Sequence, residues 1–164
     1  MYLLDTDIVF ELRNAKSGGA SPALAAWASG VQRASLFISA LSLLELESGV
    51  ARVERTDKAA GTALRTWLDA QVGPAFEGRI LPVDAAVVRR RAHLTLAATR
   101  DALLAATALE HGLTLATRDI AAFKAARVKL LNPWDYTPEA ADDEDWGQAA
   151  KSSSLWLRNI FVRG

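Results

Sequence analysis

Residues 101–119 read DALLAATALEHGLTLATRD, and this stretch decides the fold. Ala102 to His111 is an unbroken helical pattern that stops at Gly112, the residue type that most readily takes the left-handed conformation just past a helix end. Leu113-Thr114-Leu115-Ala116 follows at once as a short apolar run, and Thr117-Arg118-Asp119 then turns polar. A continuous apolar run of this length is the signature of a strand buried on both faces, as in a parallel sheet covered by helices.

Working outward, similar runs stand at Tyr2-Leu3-Leu4, Leu36-Phe37-Ile38, Ile80-Leu81-Pro82-Val83 and Val128-Lys129-Leu130-Leu131. Pro82 cannot donate to a ladder and is therefore expected at a strand end or on an edge. Helical patterns lie between the runs. Pro22 to Ala28 has Ser21 as its N-cap and Pro22 at the first helical position. Leu41 to Val53 sets Leu43, Leu44, Leu46 and Val50 on one side, and residues 57–72 and 84–98 are two more helices. Strands alternating with helices predict an α/β fold with a mainly parallel central sheet flanked by helices.

The chain has 164 residues, 51% of them apolar and none of them cysteine, which excludes disulfide scaffolds, thiolate zinc sites and cysteine nucleophiles. No apolar run approaches the ~20 residues of a membrane span. The first residues carry no basic region or cleavage pattern of a signal peptide, so a cytoplasmic location is expected. Lysine and arginine total 19, as do aspartate and glutamate. That neutrality is an average. Residues 139–145 hold five acids and no base, while 146–164 hold three bases and no acid. Removing both leaves 16 basic and 14 acidic residues in 1–138. The composition break places a domain boundary near Pro138, with one domain at 1–138 and an acidic linker with a C-terminal extension at 139–164.

Four acids stand where strands give way to helices or where helices begin: Asp5 after Leu3-Leu4, Glu45 in the helix after Ile38-Ser39, Asp101 ahead of the Leu113 strand, and Asp119 after Leu115-Ala116. Singly, each reads as helix capping, with Ser42-Leu43-Leu44-Glu45 matching a capping box. Together they read differently, because serine, threonine or asparagine would cap equally well. Strand C-termini and helix N-termini share one edge of a parallel α/β sheet, the edge where ligands bind. Several carboxylates there repel one another and need a cation. Oxygen donors without histidine or cysteine suit Mg²⁺ or Mn²⁺ rather than zinc, and such ions assist phosphoryl chemistry.

Leu3-Leu4-Asp5-Thr6-Asp7, Ile38-Ser39 with Glu45, the run Asp101 to Ala108, and Ala116-Thr117-Arg118-Asp119 resemble the ordered motifs of PIN-domain ribonucleases. Residues 78–83 and Leu131-Asn132-Pro133-Trp134 resemble the VapC/FitB toxin branch, and the resemblance covers about residues 1–136. It implies an endoribonuclease of a toxin–antitoxin pair, with Asp5, Glu45, Asp101 and Asp119 as its catalytic, metal-binding acids. Thr117 would be the hydroxyl that positions water or phosphate. The resemblance further implies a homodimer silenced by a small VapB-like antitoxin, with RNA as substrate and no membrane partner.

Other residues invite a role. Arg89, Arg90, Arg91, Arg100 and Arg118 could carry RNA phosphates, and Arg118, between Thr117 and Asp119, is the first choice. Consecutive arginines on a helix otherwise make a solvated face. Asp7 reads as a first-turn acid favoured by the helix dipole. His93 and His111 read as structural, Glu47 as facing away from Glu45, Trp27 and Trp67 as core or dimer contacts, and Trp134 as pinning the chain end. In the extension, Trp156, Ile160 and Phe161 are candidates for docking on an apolar groove. Two rivals stand beside the nuclease. A phosphoacceptor signalling domain would want a lysine after a later strand, and none follows Leu115-Ala116-Thr117. A catalytically silent PIN-like scaffold would only bind its partner.

Overall fold

A computed structural model describes residues 1–14 and 19–137. The elements run β1 (Tyr2–Leu4), α1 (Thr6–Arg13), α2 (Pro22–Gly30), β2 (Leu36–Ser39), α3 (Ala40–Thr56), α4 (Lys58–Trp67) and α5 (Gly73–Ala75). They continue with β3 (Ile80–Leu81), α6 (Ala85–Ala92), α7 (Thr99–Glu110), β4 (Thr114–Ala116), α8 (Ile120–Phe123) and β5 (Leu130–Leu131). The five strands form one sheet in the order β3-β2-β1-β4-β5, and every pair is parallel. The expected α/β class and parallel sheet are therefore both present.

Strand geometry sends neighbouring side chains to opposite faces, and β1 shows the consequence. Leu4 joins a cluster with Ile8, Leu24, Trp27, Ile38, Leu46 and Val50. Leu3 joins the opposite cluster with Leu104, Ala105, Ala108, Leu115 and Phe123. The sheet is thus buried between α1 to α4 on one side and α7 and α8 on the other. The alanines of α7 let its backbone lie close to the strands: Ala102, Ala105, Ala106 and Ala108 are all fully buried. Gly112 takes φ +64° just beyond α7, the left-handed stop expected there.

Strand order fixes where the edge opens. β1 leads outward through β2 to β3, and the chain then crosses back to lay β4 on the other flank of β1. This reversal creates a crevice at the carboxyl ends of β1 and β4. Leu4 pairs with Ala116 in register, and the Asp5 amide donates to the Ala116 carbonyl at 2.9 Å. Both loops therefore leave the sheet at the same height.

Several expected boundaries shift. The helix expected over 84–98 ends at Ala92, where the His93 and Leu94 amides tighten onto the Arg90 and Arg91 carbonyls. Leu96 then turns inward to the Leu3 cluster, which a straight helix would not allow. The helix expected over 57–72 stays α-helical to Trp67 and widens into a π turn over Leu68–Val72. Ser21 precedes α2 without a side-chain cap bond. β3 spans only Ile80–Leu81, on the sheet edge, with Pro82 directly beyond it. Helix α1 is additional to the predicted set; it buries Ile8, Val9 and Leu12 along one face. Trp27 and Trp67 are core residues, packed on Tyr2 and Phe10 respectively. The extension at 139–164, with Trp156, Ile160 and Phe161, lies outside the described residues.

Candidate active site

Asp5 ends β1 and caps α1, its Oδ1 accepting from the Thr6 amide at 2.8 Å. It is only 3% exposed, an unusual setting for a carboxylate unless it is paired. Its Oδ2 accepts from the Thr117 hydroxyl at 2.8 Å. Thr117, fully buried at the end of β4, also accepts from the Asp119 amide at 3.2 Å through the same oxygen. One hydroxyl therefore ties the acid after β1 to the loop that carries the acid after β4.

Asp119 caps α8, accepting from the Ala122 amide at 3.1 Å. Asp101 sits in the first turn of α7, whose N-cap is Ala98, so it is a first-turn acid and not the cap. Glu45 is not part of a capping box. α3 begins at Ala40 with Ser39 as its cap, which puts Glu45 in the second turn. Ser42 is fully buried, and its hydroxyl has no partner among the described residues. The earlier start lets β2 run directly into the helix, and the second turn is what carries Glu45 over the end of β1. There it accepts from the Thr6 hydroxyl. Thr6 was not anticipated; its position beside Asp5 is the only local hint.

All four acids line one open cleft of about 770 Å³ together with Asp7. Its centre is cationic. The Arg100 guanidinium donates through Nε to Glu45 Oε1 at 2.7 Å and through Nη2 to Glu45 Oε2 at 3.0 Å. It donates through Nη1 to Asp101 Oδ1 at 3.0 Å and through Nη2 to Asp5 Oδ1. Burial alone would raise the pKa of Glu45, but the hydrogen bonds from Arg100 and Thr6 outweigh it and hold the carboxyl below its ordinary value. Burial alone would likewise lower that of Arg100. The bonds to Glu45 and Asp5 reverse this, so the guanidinium is held all the more firmly in its charged form. Asp7 has no such hydrogen bond from an arginine among the described residues. Burial and then the neighbouring Asp5 charge push its carboxyl above the usual aspartate range. The sequence placed Arg100 among arginines that meet phosphate; the fold puts it inside the acid cluster.

The donor set fits a hard divalent cation: carboxylates from four elements face one cleft whose lining holds neither histidine nor cysteine. As the side chains stand, no group of three such donors closes around a single point among the described residues. The guanidinium takes that central position.

The remaining candidates lie elsewhere. Arg118 is exposed, its guanidinium 5.4 Å from the centre of the Trp134 ring. Arg90 pairs with Glu110 at 2.5 Å on the outer face of α6 and α7. Arg89 and Arg91 share the last turn of α6 with it. His93 and His111 are the exposed C-caps of α6 and α7. Glu47 pairs with Arg65 at 2.6 Å, away from Glu45. Two arginines escaped the sequence reading: Arg52 and Arg55 continue the Glu45 face of α3 along the cleft. Their spacing of seven and ten residues from Glu45 is a helical repeat, visible once α3 is known to reach Thr56.

Residues 2–129 match the PIN domain. The chain belongs to the PIN-domain family. It is 34% identical over 143 residues to the VapC ribonuclease Y4jK of Sinorhizobium fredii, covering 82% of this chain and 99% of that protein. Identity to the Toxin FitB of Neisseria gonorrhoeae is also 34%, with the same coverage of each chain. The crystal structure of FitAcB from Neisseria gonorrhoeae superposes with a TM-score of 0.75 at 34% identity, over 82% of this chain and 99% of that one. FitAB bound to an IR36 DNA fragment superposes at 0.74 with 31% identity, over 85% and 99%. The matched residues span β1 to β4 and include every acid of the cleft. No helix among the described residues is long and apolar enough to cross a membrane.

Proposed function

We propose that this PIN domain is a metal-dependent endoribonuclease that cuts RNA phosphodiester bonds as the toxin of a toxin–antitoxin pair. The observation that carries the reading is the convergence of Asp5, Glu45, Asp101 and Asp119, from four separate elements, on one cleft at the carboxyl edge of the sheet. These acids would hold Mg²⁺ or Mn²⁺. When bound, such an ion supplies activation of water and charge for the leaving oxygen of an in-line displacement.

The chain's own residues do the positioning. Thr117 and the Thr6 amide hold the two Asp5 oxygens in fixed directions, and the Thr6 hydroxyl does the same for Glu45. Preorganisation of this kind keeps the anionic groups in place without reorganisation during the reaction. Arg52 and Arg55 supply positive charge at the other end of the cleft for phosphates flanking the cut, and Arg118 supplies it beside the Asp119 loop.

The VapC and FitB names of the relatives, and the FitAB complexes among the structural neighbours, support the toxin assignment and a VapB-like antitoxin as the partner. A homodimer in the cytoplasm is part of the same reading. The test is cleavage of labelled RNA by purified protein with Mn²⁺, with and without EDTA, for wild type, Asp5→Ala and Asp119→Asn. Cutting that EDTA stops and both variants lose is expected. Cutting that persists in both variants refutes the site. No cutting by wild type favours the silent scaffold, a reading to which the guanidinium among the acids lends some weight.

A further inference from the structure

We propose that the Arg100 guanidinium and a divalent cation are alternative occupants of one anionic centre, so that Arg100 sets the affinity of the cleft for the ion. The inference rests on the metal-dependent reading above and deepens it. Three observations lead there. Asp5, Glu45 and Asp101 all meet on Arg100, so part of the negative charge that an ion would offset is already offset from within, by one positive charge against three carboxylates. Four of the five guanidinium N–H groups are engaged in doing this. While it sits there, Arg100 has almost nothing to offer a phosphate. Finally, only a third of its side chain is exposed, so it fills the space between the carboxylates and does not merely lie across them.

Both cations cannot occupy that space, since like charges at contact distance repel strongly in a partly buried site. Arg100 can leave without any change in the fold. It stands in the first turn of α7, is joined to the cleft only through its flexible stem, and opens directly onto solvent. Outside the cluster its planar fork matches a phosphate better than any other side chain does. RNA entering the cleft would therefore draw the guanidinium off the carboxylates and favour the ion, and by linkage the ion would favour RNA to the same degree.

The experiment titrates Mn²⁺ into wild type, Arg100→Gln and Arg100→Lys, following free Mn²⁺ by its paramagnetic resonance signal. Each titration is repeated with a cleavage-resistant phosphorothioate oligoribonucleotide. The full chain is used throughout. Arg100→Gln is expected to bind Mn²⁺ at least tenfold more tightly than wild type without RNA, and RNA is expected to tighten binding in wild type but not in Arg100→Gln. Thermal melts in EDTA give a second readout: Arg100→Gln should melt lower than wild type and recover more on adding Mn²⁺. Lysine keeps the charge but cannot fork, so Arg100→Lys should fall between the two and keeps the test decisive if the glutamine variant folds poorly. Equal or weaker Mn²⁺ binding by both variants overturns the proposal, as does an RNA effect that survives in Arg100→Gln. Wild type that binds Mn²⁺ but cuts no RNA would instead count against the nuclease reading alone.

Discussion

Replacing Thr117 by valine changes the shape of the side chain hardly at all, yet it removes the one hydroxyl that links β1 to the Asp119 loop. Thr117 is fully buried, and Asp5 is almost so. The bond lost is one to a charged acceptor, worth about 1.5–3 kcal/mol, and it leaves an oxygen of a nearly buried carboxylate without its partner. The second bond, from the Asp119 amide at 3.2 Å, lies at an exposed residue where water can substitute, and it adds little. Valine leaves no cavity, so the net loss is about 2–3 kcal/mol, or about 6–12 °C in melting temperature for a domain of this size. Thr117→Ser separates the causes. It keeps the hydroxyl and gives up one buried methyl, at about 1 kcal/mol. Melts followed by circular dichroism in EDTA should therefore rank wild type above Thr117→Ser and Thr117→Val last. RNA cleavage should follow the hydroxyl too, with serine retaining most of it and valine little. Thr117→Val melting at or above Thr117→Ser would refute the reasoning, because packing of the methyl and not the hydrogen bond would then hold the loop.

Two further outcomes are expected. A Cβ added at Gly61 would lie 2.5 Å from the Glu54 Cα, so α4 rests on the α3 backbone with no room for a side chain. Gly61→Ala should lower the melting temperature despite alanine's gain of about 1 kcal/mol in helix preference; a rise would show that the two helices can part cheaply. Asp7 is held above the usual aspartate range by burial and by Asp5. A carboxyl whose folded-state pKa is raised destabilises the fold once it ionises, so Asp7→Asn should stabilise the metal-free protein near neutral pH. The gain should fade as pH falls through the aspartate range and Asp7 takes up its proton; a gain that stays constant with pH would mean that charge is not its cause.

Much of this protein is determined by local pattern. The near-continuous apolar run Leu113 to Ala116 marks β4 because a strand covered on both faces is largely apolar without alternation, and Gly112 stops α7 because few other residues tolerate its φ of +64°. Asp5 and Asp119 could be placed at helix starts from the residues around them, and each caps its helix in the structure. Helix α1 was harder to see: its eight residues make barely two turns, and the run Ile8-Val9-Phe10 does not by itself separate a helix from a strand. The tail of the expected 84–98 helix was equally hidden, since no glycine or proline marks an end before Ala98, while Leu94 and Leu96 are drawn onto the core.

The centre of the cleft belongs to tertiary structure. Glu45 reaches Asp5 because α3 starts two residues before the apparent capping box, and that start is set by β2 passing straight into the helix. Arg100 meets Asp5 across 95 positions of chain because the crossover lays β4 beside β1 and brings the first turn of α7 to the same edge. No pattern in residues 95–101 distinguishes an arginine aimed at solvent from one aimed at three carboxylates. The sequence alone determined which acids stand at the carboxyl edge of the sheet. The order of the strands decided that they would share one cleft, and that a guanidinium would stand among them.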